Sequence, residues 1–266
     1  MPPEPNAYLF DLDGTLYVGS DAIPGAADAL DRLRRRGVPF RFVTNTTSRP
    51  RAELADLLRR LGIAASPEEI HTPIVAAGAL LARRGCGTVA PFSPAGSLGD
   101  LGAITLAGGV SGSAAASRPD AVLIGDLGDR WSYALMQEAF EYLLDGAALV
   151  ALSRDRYFRR EGGLVLDAGP FVAGLEYAVG REAELVGKPS AAFFQGAAAD
   201  LRGPDGVVMV GDDLWSDISG AQQSGLAGWL VRTGKFRADA LRDSGIVPDR
   251  ILDSVADLAA PVGIAT

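Results

Sequence analysis

The sequence predicts an α/β protein: a doubly wound parallel-sheet (Rossmann-like) core interrupted by an inserted second domain. Three observations carry this. Short apolar runs alternate with amphipathic helical stretches over most of the 266 residues, as expected for strands and helices in alternation. Acidic and polar residues follow directly on several of those runs, where an open parallel sheet gathers its ligands. Between them the stretch 85–119 changes character: it is rich in Gly, Ser, Ala and Pro and almost uncharged before Arg118.

Taken in order, Tyr8-Leu9-Phe10 is the first strand. A helix follows over 24–36, with Ala26, Leu30 and Leu33 on one face and Gly37 closing it. Phe40-Arg41-Phe42-Val43 is the second strand, and 51–61 a helix in which Leu54, Leu57, Leu58 and Leu61 recur at helical spacing. Ser66-Pro67-Glu68-Glu69 has the form of a capping box with proline at the first helical position. His71 precedes Thr72-Pro73, a further helix start, and is read as structural. Strands return at 121–124, 148–152 and 164–166, with a helix over about 131–144. From Glu184 the alternation resumes with a strand before Gly187, a helix from Ser190 and a strand at 207–210. A helix over 217–225, a strand at Trp229-Leu230-Val231 and two short C-terminal units complete the chain. The predicted core is therefore 1–83 with 186–266, and the predicted inserted domain is 84–185.

Composition narrows the function. An apolar fraction of 48% with 22% charged residues is enough to bury a real core. Lys and Arg number 25 against 33 Asp and Glu, a net charge of −8. That sign repels phosphodiester backbones and anionic lipid, so neither nucleic acid nor membrane is expected as a partner. A single cysteine, Cys86, and a single histidine exclude an intrachain disulfide, a multi-Cys zinc site and paired-His metal motifs. The opening Met1-Pro2-Pro3-Glu4 lacks the cations and apolar run of an export signal, and no stretch approaches the roughly 20 apolar residues that span a bilayer. The expected location is cytoplasmic. Arginines at 34–36, 59–60 and 83–84 each close a helix before a glycine, where cations complement the dipole. Gly85-Cys86-Gly87-Thr88-Val89-Ala90 fits a loose dinucleotide pattern, but Pro91 and Pro94 stand where its helix would start, so it is rejected. Trp131, Trp215 and Trp229 are read as packing residues.

Four motifs carry chemistry, each placed after an apolar strand. Asp11-Leu12-Asp13-Gly14-Thr15 comes first; residues i and i+2 of an extended chain project to one side, so both carboxylates face one spot. Two acids so close need a cation or a lost proton, which suits one carboxylate as nucleophile or metal ligand beside another that carries a proton. Next, Thr44 and Asn45 in Val43-Thr44-Asn45-Thr46 present a hydroxyl and an amide able to donate to phosphate oxygens. Third, Gly187-Lys188-Pro189-Ser190 holds an ammonium at a strand-to-helix junction. Finally, Asp212, Asp213 and Asp217 in Val210-Gly211-Asp212-Asp213-Leu214-Trp215-Ser216-Asp217 supply carboxylates without His or Cys, the donor set of a hard cation such as Mg²⁺. Helix capping by Asp217 or Ser216 is the plainer role for part of that loop.

In this order the four motifs resemble those of the haloacid dehalogenase superfamily of aspartate-nucleophile phosphatases, and the insertion between the second and third resembles the α/β cap of its class IIA members. Leu166-Asp167-Ala168-Gly169-Pro170, Gly174-Leu175-Glu176-Tyr177 and Arg232-Thr233-Gly234-Lys235-Phe236-Arg237 are similar to the phospholysine phosphohistidine inorganic pyrophosphate phosphatase group. The animal member of that group lacks the second acid of the first motif, whereas Asp13 is present here, so its substrate does not carry over. The resemblance implies Asp11 as nucleophile and Asp13 as general acid/base. It also implies Mg²⁺ held by the Asp11 carboxylate, the Asp13 carbonyl and the Asp212 carboxylate. Thr44, Asn45 and Lys188 would grip the phosphoryl group, while Asp217, with Asp213, would position water at the metal. The expected substrate is a small phosphorylated metabolite, cleaved at a phosphoester or phosphoramidate bond, and a homodimer through the cap is expected. Arg154, Arg156 and Tyr157, in a loop after a cap strand, are the expected specificity residues. A phospho-accepting signalling domain and a non-catalytic binding protein on the same fold are the alternatives.

Overall fold

Strand Ala7–Asp11 is buried along its whole length and lies inside a six-stranded sheet. In the computed structural model, which describes residues 5–110, 118–160, 163–201 and 206–259, the strand order is Arg250–Leu252, Ala227–Val231, Val207–Gly211, Ala7–Asp11, Phe40–Val43 and Ile70–His71. All neighbours are parallel. The chain winds outward from Ala7–Asp11 on one side, then restarts beside it at Val207–Gly211 and winds outward on the other. That reversal is the topological switch point, where the ends of two adjacent strands leave room for a ligand. Residues 1–4 and 111–117, on which the readings of the N-terminus and of part of the glycine-rich stretch rest, lie outside the described residues.

The inner strands are aromatic and β-branched (AYLFD, FRFV, VVMVG), the composition of strands covered on both faces. On one face Tyr8, Phe10 and Phe42 pack with Leu54 and Leu58 of helix Arg51–Arg60 and with Leu30 and Leu33 of helix Ala26–Arg35. Of the two helices, Ala26–Arg35 buries its stripe of Ala26, Leu30 and Leu33 as the spacing predicts, and Arg51–Arg60 buries Leu54 and Leu58 while Leu57 and Leu61 are half-buried at its edge. The arginines of their last turns stay at the surface, where Arg34 pairs with Glu69 at 2.7 Å.

The chain separates into two units, Met1–Thr44 with Ala52–His71 and Lys188–Thr266, and Asn45–Arg51 with Thr72–Gly187. The second has its own five-stranded parallel sheet, ordered Glu184–Leu185, Ala148–Ala151, Ala121–Ile124, Thr88–Phe92 and Thr105–Leu106. An antiparallel hairpin, Tyr157–Arg160 with Gly163–Leu166, accompanies it. Helix Pro73–Arg83, placed with the core by the sequence, belongs to this unit. Its Ile74, Ala77, Leu80 and Leu81 bury themselves against Val89, Leu101, Ala121 and Val150, because the strands that follow it supply the apolar partners.

Local differences have local causes. The Ser66 capping box forms, but it heads a single 3₁₀ turn, Pro67–Glu69. The α-helix starts one signal later, where the Thr72 hydroxyl oxygen accepts from the Val75 N–H at 3.3 Å. Thr88–Phe92 is a strand where the dinucleotide pattern needs a helix. Among the described residues, no helix is long and apolar enough to cross a membrane.

Candidate active site

Asp11 is the last residue of its strand, paired with Val43 of the neighbouring one. The chain then turns sharply: the Leu12 carbonyl accepts from the N–H groups of Thr15, Leu16 and Tyr17. Because the strand ends at Asp11, the alternation expected to put both acids on one side does not continue to Asp13. Asp11 is only 7% exposed, whereas Asp13 is open to solvent in the turn.

Lys188, from the turn before helix Ala191–Ala198, is buried with its ammonium between two carboxylates. Its Nζ lies 2.5 Å from Asp11 Oδ1 and 2.7 Å from Asp217 Oδ1. Burial pulls this lysine's pKa down, but the fields and hydrogen bonds of Asp11 and Asp217 outweigh it and hold it above the ordinary lysine value. The ammonium is a fixed positive charge.

The acidic loop after strand Val207–Gly211 is organised by its own backbone. Asp213, not Asp217 or Ser216, caps the helix: its Oδ1 accepts from Trp215 and Ser216 N–H groups at 3.0 Å. Its Oδ2 meets Lys235 Nζ at 3.1 Å. Burial raises the Asp213 pKa, yet the Lys235 charge and the cap bonds leave it below the usual carboxylate range. The first turn, Leu214–Ser219, is π-helical, with the Ile218 N–H donating to the Asp213 carbonyl at 3.2 Å. Asp217 lies inside that turn, 1% exposed, with its Oδ2 accepting from the Asp213 N–H at 3.1 Å. Asp212 is 2% exposed, and its Oδ2 accepts from the Lys235 N–H at 2.6 Å.

One oxygen from each of Asp11, Asp212 and Asp217 lies within 4.8 Å of the others. Three carboxylates against one buried ammonium leave negative charge in excess. Burial first, then the charges of Asp11 and Asp217, push Asp212 up to about 8. Burial, followed by repulsion from Asp11 and Asp213 and opposed by Lys188, also raises Asp217. The cluster holds its full charge near neutrality only with added positive charge, and its all-oxygen donors fit a hard divalent cation.

The remaining predicted residues divide between the two units. Thr44, 4% exposed, follows the strand beside Asp11, and its N–H donates to the His71 carbonyl at 3.2 Å. His71 itself is buried edge-on to Phe193, with ring centres 4.8 Å apart, as a structural residue would be. Asn45 belongs to the second unit, where its amide donates to Asp155 Oδ2 at 3.4 Å. Arg154, Arg156 and Tyr157 line one cavity of about 700 Å³ together with Leu166, Pro170 and Ala173. Arg154 is paired there with Glu176 at 2.5 Å. Trp131 stacks on Phe92 and Phe171, and Trp229 meets Tyr8 edge-on. Trp215 is 59% exposed and is not a packing residue, since the turn capped by Asp213 directs it outward.

Sequence reasoning missed the part played by Thr233, Gly234 and Lys235. The signal was available: they follow the apolar strand Ala227–Val231, as the four motifs follow theirs.

Comparison with known proteins agrees with this geometry. Residues 8–99 match the model of the haloacid dehalogenase-like hydrolases, and residues 185–258 match a second HAD-hydrolase-like model. A rat haloacid dehalogenase-like hydrolase domain-containing protein 2 is 44% identical, covering 87% of this chain and 86% of its own. The bovine phospholysine phosphohistidine inorganic pyrophosphate phosphatase is 37% identical over 94% of this chain and 91% of its own. Among solved structures, a glycerol phosphate phosphatase from Mycobacterium tuberculosis in complex with magnesium is 32% identical, with a TM-score of 0.83. It covers 96% of this chain and 76% of its own. The chain belongs to the haloacid dehalogenase-like hydrolase family and is an enzyme of that family's phosphatase type.

Proposed function

We propose that the protein is a Mg²⁺-dependent phosphatase of small phosphorylated metabolites that works through a phosphorylated Asp11. The observation that carries this reading is the buried Lys188 ammonium bridging Asp11 and Asp217 beside Asp212. A carboxylate attacking an anionic phosphoryl group must overcome repulsion, and a fixed cation at the attacking group offsets it.

In the first half-reaction an Asp11 oxygen forms a bond to phosphorus as the bond to the leaving group breaks. Asp13, exposed where a leaving group and then water can arrive, gives its proton to the departing oxygen or nitrogen. In the second, water attacks the acyl phosphate, Asp13 takes the water's proton, and phosphate leaves with the Asp11 carboxylate restored. Thr44 and Lys188 hold the phosphoryl oxygens. Lys188, Asp213 N–H and Lys235 N–H take up Asp11 Oδ1, both oxygens of Asp217 and Asp212 Oδ2. That leaves Asp11 Oδ2 and Asp212 Oδ1, with the Asp13 carbonyl, as the groups that would hold Mg²⁺, which supplies positive charge for the transferred group. With both oxygens occupied, Asp217 positions Lys188.

The relatives' printed names span phosphoamino acids, pyrophosphate and glycerol phosphate. A carboxylic acid at position 13 suits leaving groups that need a proton, so we read the substrate as a phosphomonoester, a phosphoramidate or pyrophosphate. Arg154, Arg156 and Tyr157 read the part of the substrate beyond the phosphoryl group. Phosphate release from an aryl phosphate tests the reading: it should require Mg²⁺ and fall at least about 10³-fold in Asp11→Asn, whereas a modest loss in that variant would reject it.

A further inference from the structure

Resting on that reading of the core site, the geometry points to the Thr233-Gly234-Lys235 turn as a positioning device that fixes the Asp212 carboxylate and thereby sets how tightly the site binds its divalent cation.

The turn follows strand Ala227–Val231, which lies on the far side of Val207–Gly211 from Ala7–Asp11. It nevertheless reaches past Asp212 to the nucleophile loop. The Thr233 hydroxyl donates to the Gly14 carbonyl at 2.5 Å. Glycine occupies both sides of the contact: a Cβ on Gly234 would stand 2.4 Å from Gly14 Cα. The Asp212 carboxylate is enclosed between them, its Oδ2 only 2.1 Å from where a Gly234 Cβ would be and 2.0 Å from a Gly14 Cβ. Both glycines have positive φ, +56° and +96°, which other residues adopt only with strain. The Lys235 N–H then fixes the enclosed oxygen at 2.6 Å, and the Lys235 ammonium ties the same turn to Asp213 at 3.1 Å.

These contacts leave Asp212 little rotational freedom and commit one oxygen to the protein. The other oxygen is then presented in one orientation. The Lys235 N–H holds the carboxylate in that orientation at no expense in net charge. Partners of metal-holding side chains commonly alter affinity by about 10–100-fold when removed.

The test is a Mn²⁺ titration of the metal-free full-length protein, read by the paramagnetic signal of free Mn²⁺, with Mg²⁺ competition. Thr233→Val keeps the shape and removes the hydroxyl, and should weaken cation binding about tenfold. It should do so with cooperative unfolding retained in EDTA and an unchanged KM for an aryl phosphate at saturating cation, and Thr233→Ser should restore the affinity. Gly234→Ala, which pushes on Asp212 directly, should weaken binding further. Wild-type affinity in both Thr233→Val and a folded Gly234→Ala would overturn the proposal. Asp212→Asn separates the two readings: if it too binds Mn²⁺ like the wild type, the assignment of the cation site fails. If it alone loses binding, only the positioning role fails.

Discussion

The core site and the cap cavity are built from opposite materials. In the core, Asp11, Lys188, Asp212 and Asp217 are each 7% exposed or less, and each is held by hydrogen bonds of defined partner and length. In the inserted unit Tyr157 is 54% exposed, Leu166 is 59% exposed and Arg156 is likewise open to solvent. Buried charges fixed in place retain strong fields and need little reorganisation when charge moves. Exposed side chains on a short hairpin contribute little to stability and can change with little consequence for folding. The contrast fits the proposed division, with phosphoryl chemistry in the core and recognition of the rest of the substrate in the inserted unit.

That division can be broken most severely at the nucleophile. Asp11→Asn should lower turnover at least about 10³-fold while circular dichroism and cooperative unfolding persist; a modest loss would place the chemistry elsewhere. Lys188→Met should reduce both rate and stability. Removing one partner of a buried ion pair leaves uncompensated charge and typically costs about 3–5 kcal/mol, measurable by urea denaturation in EDTA. Unchanged stability would mean that the ammonium does not bear on the carboxylates as described.

Titration sharpens the same contrast. The raised pKa of Asp212 and Asp217 means that the folded, metal-free protein binds protons that the unfolded chain, with carboxyls near about 4, has already released. The stability that these two groups contribute in EDTA is therefore fully present below about pH 4 and is lost as pH rises through the Asp212 value of about 8. Mg²⁺ should replace those protons, so thermal shifts should show Mg²⁺ stabilising the protein more near pH 8 than near pH 5.5, and Asp212→Asn should flatten the difference. Equal stabilisation at both pH values would contradict the charge assignment. The smallest effect is expected in the cap. Arg156→Ala and Tyr157→Ala should leave stability within about 0.5 kcal/mol but change KM and the rank order of phosphorylated substrates; identical substrate profiles would remove them from recognition.

What the sequence made legible follows the same boundary. Asp11 and Asp212 could be placed because each stands at the end of an apolar strand at the switch point of the six-stranded sheet. Lys188 instead follows Glu184–Leu185, a strand of the five-stranded sheet, and only the fold brings its ammonium to Asp11. Asp13 was harder, because where a strand stops and a turn begins decides its exposure. Two strands, Thr88–Phe92 and Thr105–Leu106, were hidden because Pro91 and the surrounding glycines read as loop. Helix Gly169–Val179 was hidden by Pro170 and Gly174 and by apolar residues without clear periodicity. The support that Lys235 gives Asp212 comes from a backbone N–H, which every residue but proline possesses. The place of the turn after strand Ala227–Val231 was legible, but no residue type announces the contact itself.

The central claim is that Asp11 carries the phosphoryl group. Acid-quenching the enzyme within its first turnovers on an aryl phosphate, followed by peptide mass spectrometry, tests this directly. The account predicts one phosphoryl group on the peptide containing Asp11, absent in Asp11→Asn; phosphate on another residue, or phosphate release with no labelled peptide at any quench time, would contradict it.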